Sequence, residues 1–256
     1  MPISPPIRLT LIGGPTLLIE IAGFRLLTDP TFDVPGDYPS GTIVLHKVTG
    51  PALSADEIGA VDAVLLSHDQ HSDNLDPGGR AFLPKAGTTF TTRIGAERLG
   101  LGEGMAPWET RELTGPNGAR LFVTAVPARH GPPGIEPIAG EVIGFALGLD
   151  APGDALYISG DTVWYEGVAE IARRFSPRIA VLFTGAAKPR GAFHLTMDAN
   201  DALEAAHAFA GARIVAVHNE GWGHFSEDED ELAHAFVALG LGERLARLEK
   251  GQPLSL

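Results

Sequence analysis

The sequence predicts an α/β fold in which two mixed β-sheets pack together with helices outside. Short apolar runs bounded by Gly, Asp or Pro recur along the chain, the first three form a meander, and helical stretches are interleaved with the later runs. The meander comprises residues 7–12, 16–21 and 24–28. Residues 61–67 (VDAVLLS) are apolar almost throughout, as a strand buried on both faces would be, and lead directly into the polar stretch HDQHSDN. Further strands are expected at 88–92, 120–126, 142–149, 155–159, 179–183 and 214–217. Helices are expected after Thr162, over 198–209 with Ala199, Leu203, Ala206 and Ala210 on one stripe, and over 226–239. The last opens with Ser226 and Glu229 at capping-box spacing and stops at Gly240.

No repeat or low-complexity linker divides the 256 residues, so residues 1–256 read as one domain. Lys and Arg number 19 against 32 Asp and Glu, a net charge of −13 that repels nucleic-acid phosphates and anionic lipid. There is no cysteine, which excludes disulfides, thiolate metal sites and a Cys nucleophile. Any transition-metal site must therefore use His, Asp, Glu or Asn. The opening MPISPPIRLT has no signal-peptide or transit-peptide pattern, and no apolar run approaches the roughly 18 residues of a membrane span. The expectation is a soluble, cytoplasmic protein.

The placement of the nine His residues carries the chemistry. His68 ends a buried strand and is followed by His71, Asp73 and Asn74; His130 follows LFVTAVPAR, Asp161 follows ALYISG, and His218 follows RIVAV. One such His is most simply a hydrogen-bonded strand-end residue. Four strand ends carrying ligand types can instead converge on one edge of the sheets, where ligands commonly bind. Imidazole with carboxylate suits zinc, manganese or iron, and a bridging Asp can hold two ions close together.

Taken in order, these segments resemble the metallo-β-lactamase superfamily of metal-dependent hydrolases. GGPTLLIEIAGFRLLTDP is similar to that family's opening hairpin and first motif, an Asp at a strand end, here Asp29. SHDQHSDNLD resembles its His-x-His-x-Asp-His loop, and His130, ISGDT with Asp161 and AVHNEGW with His218 follow in the family's order. GAAKPRGAFHLTMDANDALEAA resembles the branch of the ascorbate-phosphate lactonases and the N-acyl-phosphatidylethanolamine phospholipase D type enzymes. The resemblance implies a four-layer αββα sandwich with one or two ions at its edge, held by His68, His71, Asp73, His130, Asp161 and His218.

Two departures stand out. Asp69 and Gln70 separate His68 from His71 where the family has one residue, so either the loop bulges or only one of the pair binds. Asn74 stands where the family has a His, and a neutral amide holds a second ion weakly. His224 either replaces that ligand or is a polar loop residue, and Glu220 either orients a ligand His or is solvated.

Such an ion lowers the pKa of a bound water from about 15.7 toward 7, and Asp73 serves as ligand or as proton acceptor. The glycines of GGPT form a turn rather than a phosphate loop. Lys188, Arg190 and His194 form a basic loop that attracts an anionic small molecule if it overhangs the ions, and otherwise faces solvent. Trp222, Trp164, Tyr165 and Phe32 are candidates for an apolar wall. The function expected is hydrolysis of an ester, lactone or phosphodiester of a small metabolite, with zinc, manganese or iron as cofactor. An iron-dependent redox enzyme and a metal-binding protein without catalysis are the alternatives.

Overall fold

A computed structural model describes residues 5–115 and 118–256, so the first four residues, on which the amino-terminal reading partly rests, lie outside it. Seven strands form the first sheet: β1 (Ile7–Gly13), β2 (Thr16–Ile21), β3 (Phe24–Thr28), β6 (Ala63–Leu65), β7 (Thr88–Thr92), β8 (Glu103–Met105) and β15 (Pro253–Ser255). Their order is β15-β1-β2-β3-β6-β7-β8, antiparallel from β15 to β3 and parallel from β3 to β8. The second sheet contains β9 (Thr110–Thr114), β10 (Arg120–Pro127), β11 (Ile143–Gly148), β12 (Leu156–Ile158), β13 (Ile179–Phe183) and β14 (Arg213–Val217). Its order is β14-β13-β12-β11-β10-β9, with β12, β13 and β14 parallel. A separate hairpin joins β4 (Gly36–Ser40) to β5 (Ile43–Lys47).

Alternation along each strand decides which layer a side chain enters. In β13, Ile179, Val181 and Phe183 pack between the sheets, while Ala180 and Leu182 face outward under helices. In β2, Leu17 and Ile19 point inward and Leu18 outward. The inner layer joins both sheets through Phe24, Phe90, Phe145 and Phe183, all essentially inaccessible to water and each stabilising the fold by about 1.5–3 kcal/mol through burial. One outer layer packs α5 (Glu166–Arg174), α6 (Ala199–Ala208) and α7 (Glu229–Ala238) on the second sheet. The other packs Ile58 of α1 (Ala55–Ile58) and Phe82 of α2 (Pro77–Phe82) on the first sheet. This is the αββα sandwich. Two further short helices, α3 (Arg93–Leu99) and α4 (Glu136–Ala139), follow β7 and precede β11. No helix among the described residues is long and apolar enough to cross a membrane.

The expected strands are present, several trimmed by a residue or two at their ends. The capping box of the last helix is shifted. Asp228 and Glu231 form it, while the Ser226 hydroxyl donates to the Ala186 carbonyl at 2.7 Å. The apolar stripe of α6 is Ala202, Leu203, Ala205 and Ala206, whereas Ala210 lies beyond the helix and is exposed.

Candidate metal centre

The site is built where β6, β10, β12 and β14 end on one edge of the sandwich. Parallel pairing of β3 with β6 sets Asp29 beside Ser67: the Asp29 N–H donates to the Leu65 carbonyl at 3.2 Å, and Asp29 Oδ1 accepts from the Ser67 N–H and hydroxyl, both at 2.8 Å. The Ser67 oxygen lies 2.9 Å from His68 Nδ1. Having given its proton to Asp29, it accepts from His68 Nδ1–H, which leaves Nε2 as the free base. His130, beyond the end of β10, is fixed in the same sense, its Nδ1–H donating to the Leu195 carbonyl at 2.8 Å.

The two free Nε2 atoms face a third ring. His71 Nδ1 is 2.9 Å from His68 Nε2 and 3.1 Å from His130 Nε2. Asp161 brings Oδ2 to 3.4 Å from His130 Nε2 and 4.0 Å from His68 Nε2. Its approach needs Gly160, with φ +59°, because a Cβ there would lie 2.7 Å from the Ile143 carbonyl oxygen. Burial, reinforced by the neighbouring imidazoles, holds His68 well below the usual imidazole range and lowers His71 to about 4. His68 and His71 are thus neutral, the form that binds cations.

A second group shares Asp161. Asp161 Oδ1 is 3.5 Å from His218 Nδ1, and Asp73 Oδ2 is 3.6 Å from His218 Nε2. His218 follows β14 at φ 61°, held there by its N–H donating to the Gly14 carbonyl at 2.9 Å. Burial alone would raise the Asp73 carboxyl, but His218 and His224 more than offset it and hold Asp73 well below the usual carboxylate range. Burial would lower His218, yet Asp161 and Asp73 leave it raised. Asp29, buried and beside Asp161, is raised well above that range, its bonds to Ser67 offsetting this only in part.

The donor set fits a divalent cation. Ligand atoms of His68, His71, His130 and Asp161 lie within 4.8 Å of one another, as do those of Asp73, Asp161 and His218. Asp73 Oδ1, Asp161 Oδ2 and both His218 nitrogens are buried without a hydrogen-bond partner. Each such atom costs about 1–3 kcal/mol unless something ligates it. Nitrogen and oxygen donors without thiolate suit zinc, manganese or iron.

The model of the beta-lactamase superfamily domain matches residues 24–219, most of the chain and all six residues of the two ligand groups. The chain belongs to the metallo-β-lactamase superfamily. It is 25% identical to the UPF0173 protein YddR of Bacillus subtilis (strain 168) over 253 residues, covering 96% of this chain and 98% of that protein. Its fold is similar to the isothiocyanate hydrolase from Delia radicum gut bacteria (TM-score 0.81, 24% identity, 97% and 99% of the chains covered). It is also similar to a possible metal-dependent hydrolase from Veillonella parvula DSM 2008 (TM-score 0.83, 22% identity, 97% and 99% covered).

Within this superfamily fold the remaining expected residues divide. Asn74 turns its amide nitrogen toward Asp161 Oδ1 at 3.2 Å and so acts as a donor. His224 folds back and donates from Nε2 to Asp73 Oδ2 at 3.0 Å. Arg190 lines a small cavity over His71, Asp73 and His130, but its expected companions do not. Lys188 is exposed, and His194 turns to Asp201, 3.1 Å away, at the start of α6. Glu220 orients no ligand His. It ties together Gly14 N–H, the Thr49 hydroxyl and Lys250 Nζ at 2.7, 3.1 and 3.2 Å. Trp164 and Tyr165 pack in one helical layer and Phe32 against Phe82 in the other, so the wall of the cavity is Ile43, Leu45, Ala187, Pro189 and Leu195. Trp222 is buried edge-on to Tyr38 of β4 and does not line the cavity.

Sequence reasoning missed Ser67, although a small polar residue between an apolar strand and His68 is a visible signal. It also missed the Leu195 carbonyl, which no side chain announces. Around the loop, Asp69 pairs with Arg98, whose Nε donates at 2.9 Å, and Asp76 pairs with buried Lys47 at 2.9 Å.

Proposed function

We propose that this chain is a metal-dependent hydrolase that cleaves an ester, lactone or phosphodiester of a small metabolite, working in the cytoplasm with zinc, or with manganese or iron in its place. The observation that carries the reading is the convergence of three imidazole nitrogens, two of them on rings oriented by a hydrogen bond at Nδ1, on one point beside a buried carboxylate. In this reading His68, His71, His130 and Asp161 hold one ion, and Asp73, Asp161 and His218 hold a second more weakly. When bound, the ion supplies Lewis acidity and makes water nucleophilic near neutral pH. Asp161 faces both groups and fixes their separation. Asp73, kept ionised by His218 and His224, is better suited to orienting the attacking water through an accepted hydrogen bond than to storing its proton. The apolar wall excludes bulk water from the reacting bond. Ser67 is committed to Asp29 and His68 and is not a nucleophile.

The test is metal analysis of protein purified without added metal, followed by a panel of chromogenic esters, lactones and phosphodiesters with and without chelator. At least one retained ion per chain, and hydrolysis lost on chelation and restored by zinc, manganese or iron, is expected. Protein that takes up none of these ions, or hydrolysis indifferent to the chelator, overturns the reading.

A further inference from the structure

The cavity over the cluster is closed on one side by the β4–β5 hairpin and on the other by the segment from Ala187 to Leu195. Its free volume is about 20 Å³, room for about one water molecule, so a substrate must displace part of a wall. Arg190 Nη1 spans the two walls by donating to the Thr42 hydroxyl at 3.1 Å. That is its one hydrogen bond to another side chain or to the backbone among the described residues, so a guanidinium with five donors meets a single neutral acceptor. Across the cavity, Ser40 is 2% exposed and its hydroxyl has no partner.

We propose that Arg190 and Ser40 form an anion subsite beside the candidate metal centre, which selects substrates carrying a carboxylate or phosphate group near the bond to be cleaved. The proposal rests on the hydrolase reading for its consequence, and on these two residues for its geometry. In a chain of net charge −13, a fixed guanidinium beside the ions adds to the local attraction for an anionic substrate. Arg190 is the Lys or Arg side chain that lines this cavity among the described residues. A carboxylate or phosphate accepts two parallel hydrogen bonds from a guanidinium, which a threonine hydroxyl does not, so the incoming group displaces Thr42 and releases the link between the walls. Ser40 then gains the acceptor that it lacks. The apolar remainder of the wall suits the carbon skeleton of the same substrate.

The experiment is calorimetric titration of zinc-loaded protein with inorganic phosphate and, separately, with succinate, in the wild type and in Arg190→Gln, Arg190→Lys and Ser40→Ala. Zinc content is measured in every sample. Wild-type binding of at least one probe is expected, weakened about tenfold or more by Arg190→Gln, partly restored by Arg190→Lys and weakened less by Ser40→Ala, with zinc content unchanged throughout. The probe that responds to Arg190 tells whether phosphate or carboxylate is the preferred group. Equal affinities in wild type and Arg190→Gln, or no binding of either probe by zinc-loaded wild type, overturn the subsite alone. Protein that takes up no zinc counts against zinc in the hydrolase reading, and the same titration run on it still decides whether Arg190 binds an anion.

Discussion

His130 donates its Nδ1–H to the carbonyl oxygen of Leu195 at 2.8 Å, and this bond turns Nε2 toward His71 and Asp161. A backbone acceptor cannot be removed by substitution, but the matching bond of His68 can, because Ser67 supplies it from a side chain. Ser67→Ala frees the His68 ring and strips Asp29 of one of its two bonds from Ser67. The expected outcome is a folded protein whose zinc affinity falls by about 10–100-fold, measured by competition with a chromophoric chelator. Unchanged affinity removes Ser67 from the centre.

In the proposed reading, Asn74 limits a second ion. Its amide nitrogen donates to the Asp161 oxygen that faces His218 and its own Oδ1 is buried without a partner, so it offers an ion at most a weak, neutral oxygen where the family has an imidazole. One ion is expected to survive dialysis against a mild chelator, and Asn74→His is expected to raise the retained number toward two. Two ions retained at full occupancy by the wild type would sink this argument.

How much of this was legible in the sequence depends on what each residue touches. The strands were readable because runs such as IAVLF and RIVAV are apolar on both faces and sit between turn residues. The β4–β5 hairpin was not, since GDYPS and IVLHK are mostly exposed, carry a Pro, and bury only Ser40, Leu45 and Lys47. Strand-end placement marked His68, His130, Asp161 and His218, and the structure brings them together with His71 and Asp73. It could not sort Arg190 from Lys188 and His194. Their partners, Thr42 for Arg190 and Asp201 for His194, are matters of three-dimensional placement, and nothing in KPRGAFH distinguishes them.

His194 makes a prediction away from the centre. Its hydrogen bond to Asp201, more than offsetting burial, raises it above the ordinary imidazole value. The folded state therefore favours the protonated ring. The stabilisation is fully present below about pH 6.5, the unfolded value, and is lost as pH rises through the higher folded value. His194→Ala is expected to lower the urea midpoint at pH 5–6 and to have less effect at pH 9, with a loss under about 1 kcal/mol because the pair is part-exposed. A loss independent of pH would assign His194 a packing role only.

The last prediction concerns His68 and His71, whose extra intervening residue departs from the superfamily's spacing. The loop absorbs that residue between the two rings and then turns helically, with the Leu75 N–H donating to the His71 carbonyl at 2.9 Å. The Arg80 and Arg98 side chains anchor it at Asp69, and Gln70 reaches the Ala139 carbonyl at 3.1 Å. Both rings can then face one point, His68 through Nε2 and His71 through Nδ1, and neither atom has an available proton donor other than its neighbours. If each ring contributes one bond to the same ion, His68→Ala and His71→Ala should lose zinc affinity to a similar extent, within about tenfold of each other. The two differ in one respect. His68 is wholly buried and its removal leaves a void beside Ser67, whereas His71 is part-exposed at the cavity, so His68→Ala should also cost stability in chelator-treated protein and His71→Ala should not. Measuring thermal unfolding with and without chelator beside zinc affinity separates the two effects. Full zinc affinity in His68→Ala, with a large loss in His71→Ala, would make His68 a support for the loop and leave His71, His130 and Asp161 to hold the ion.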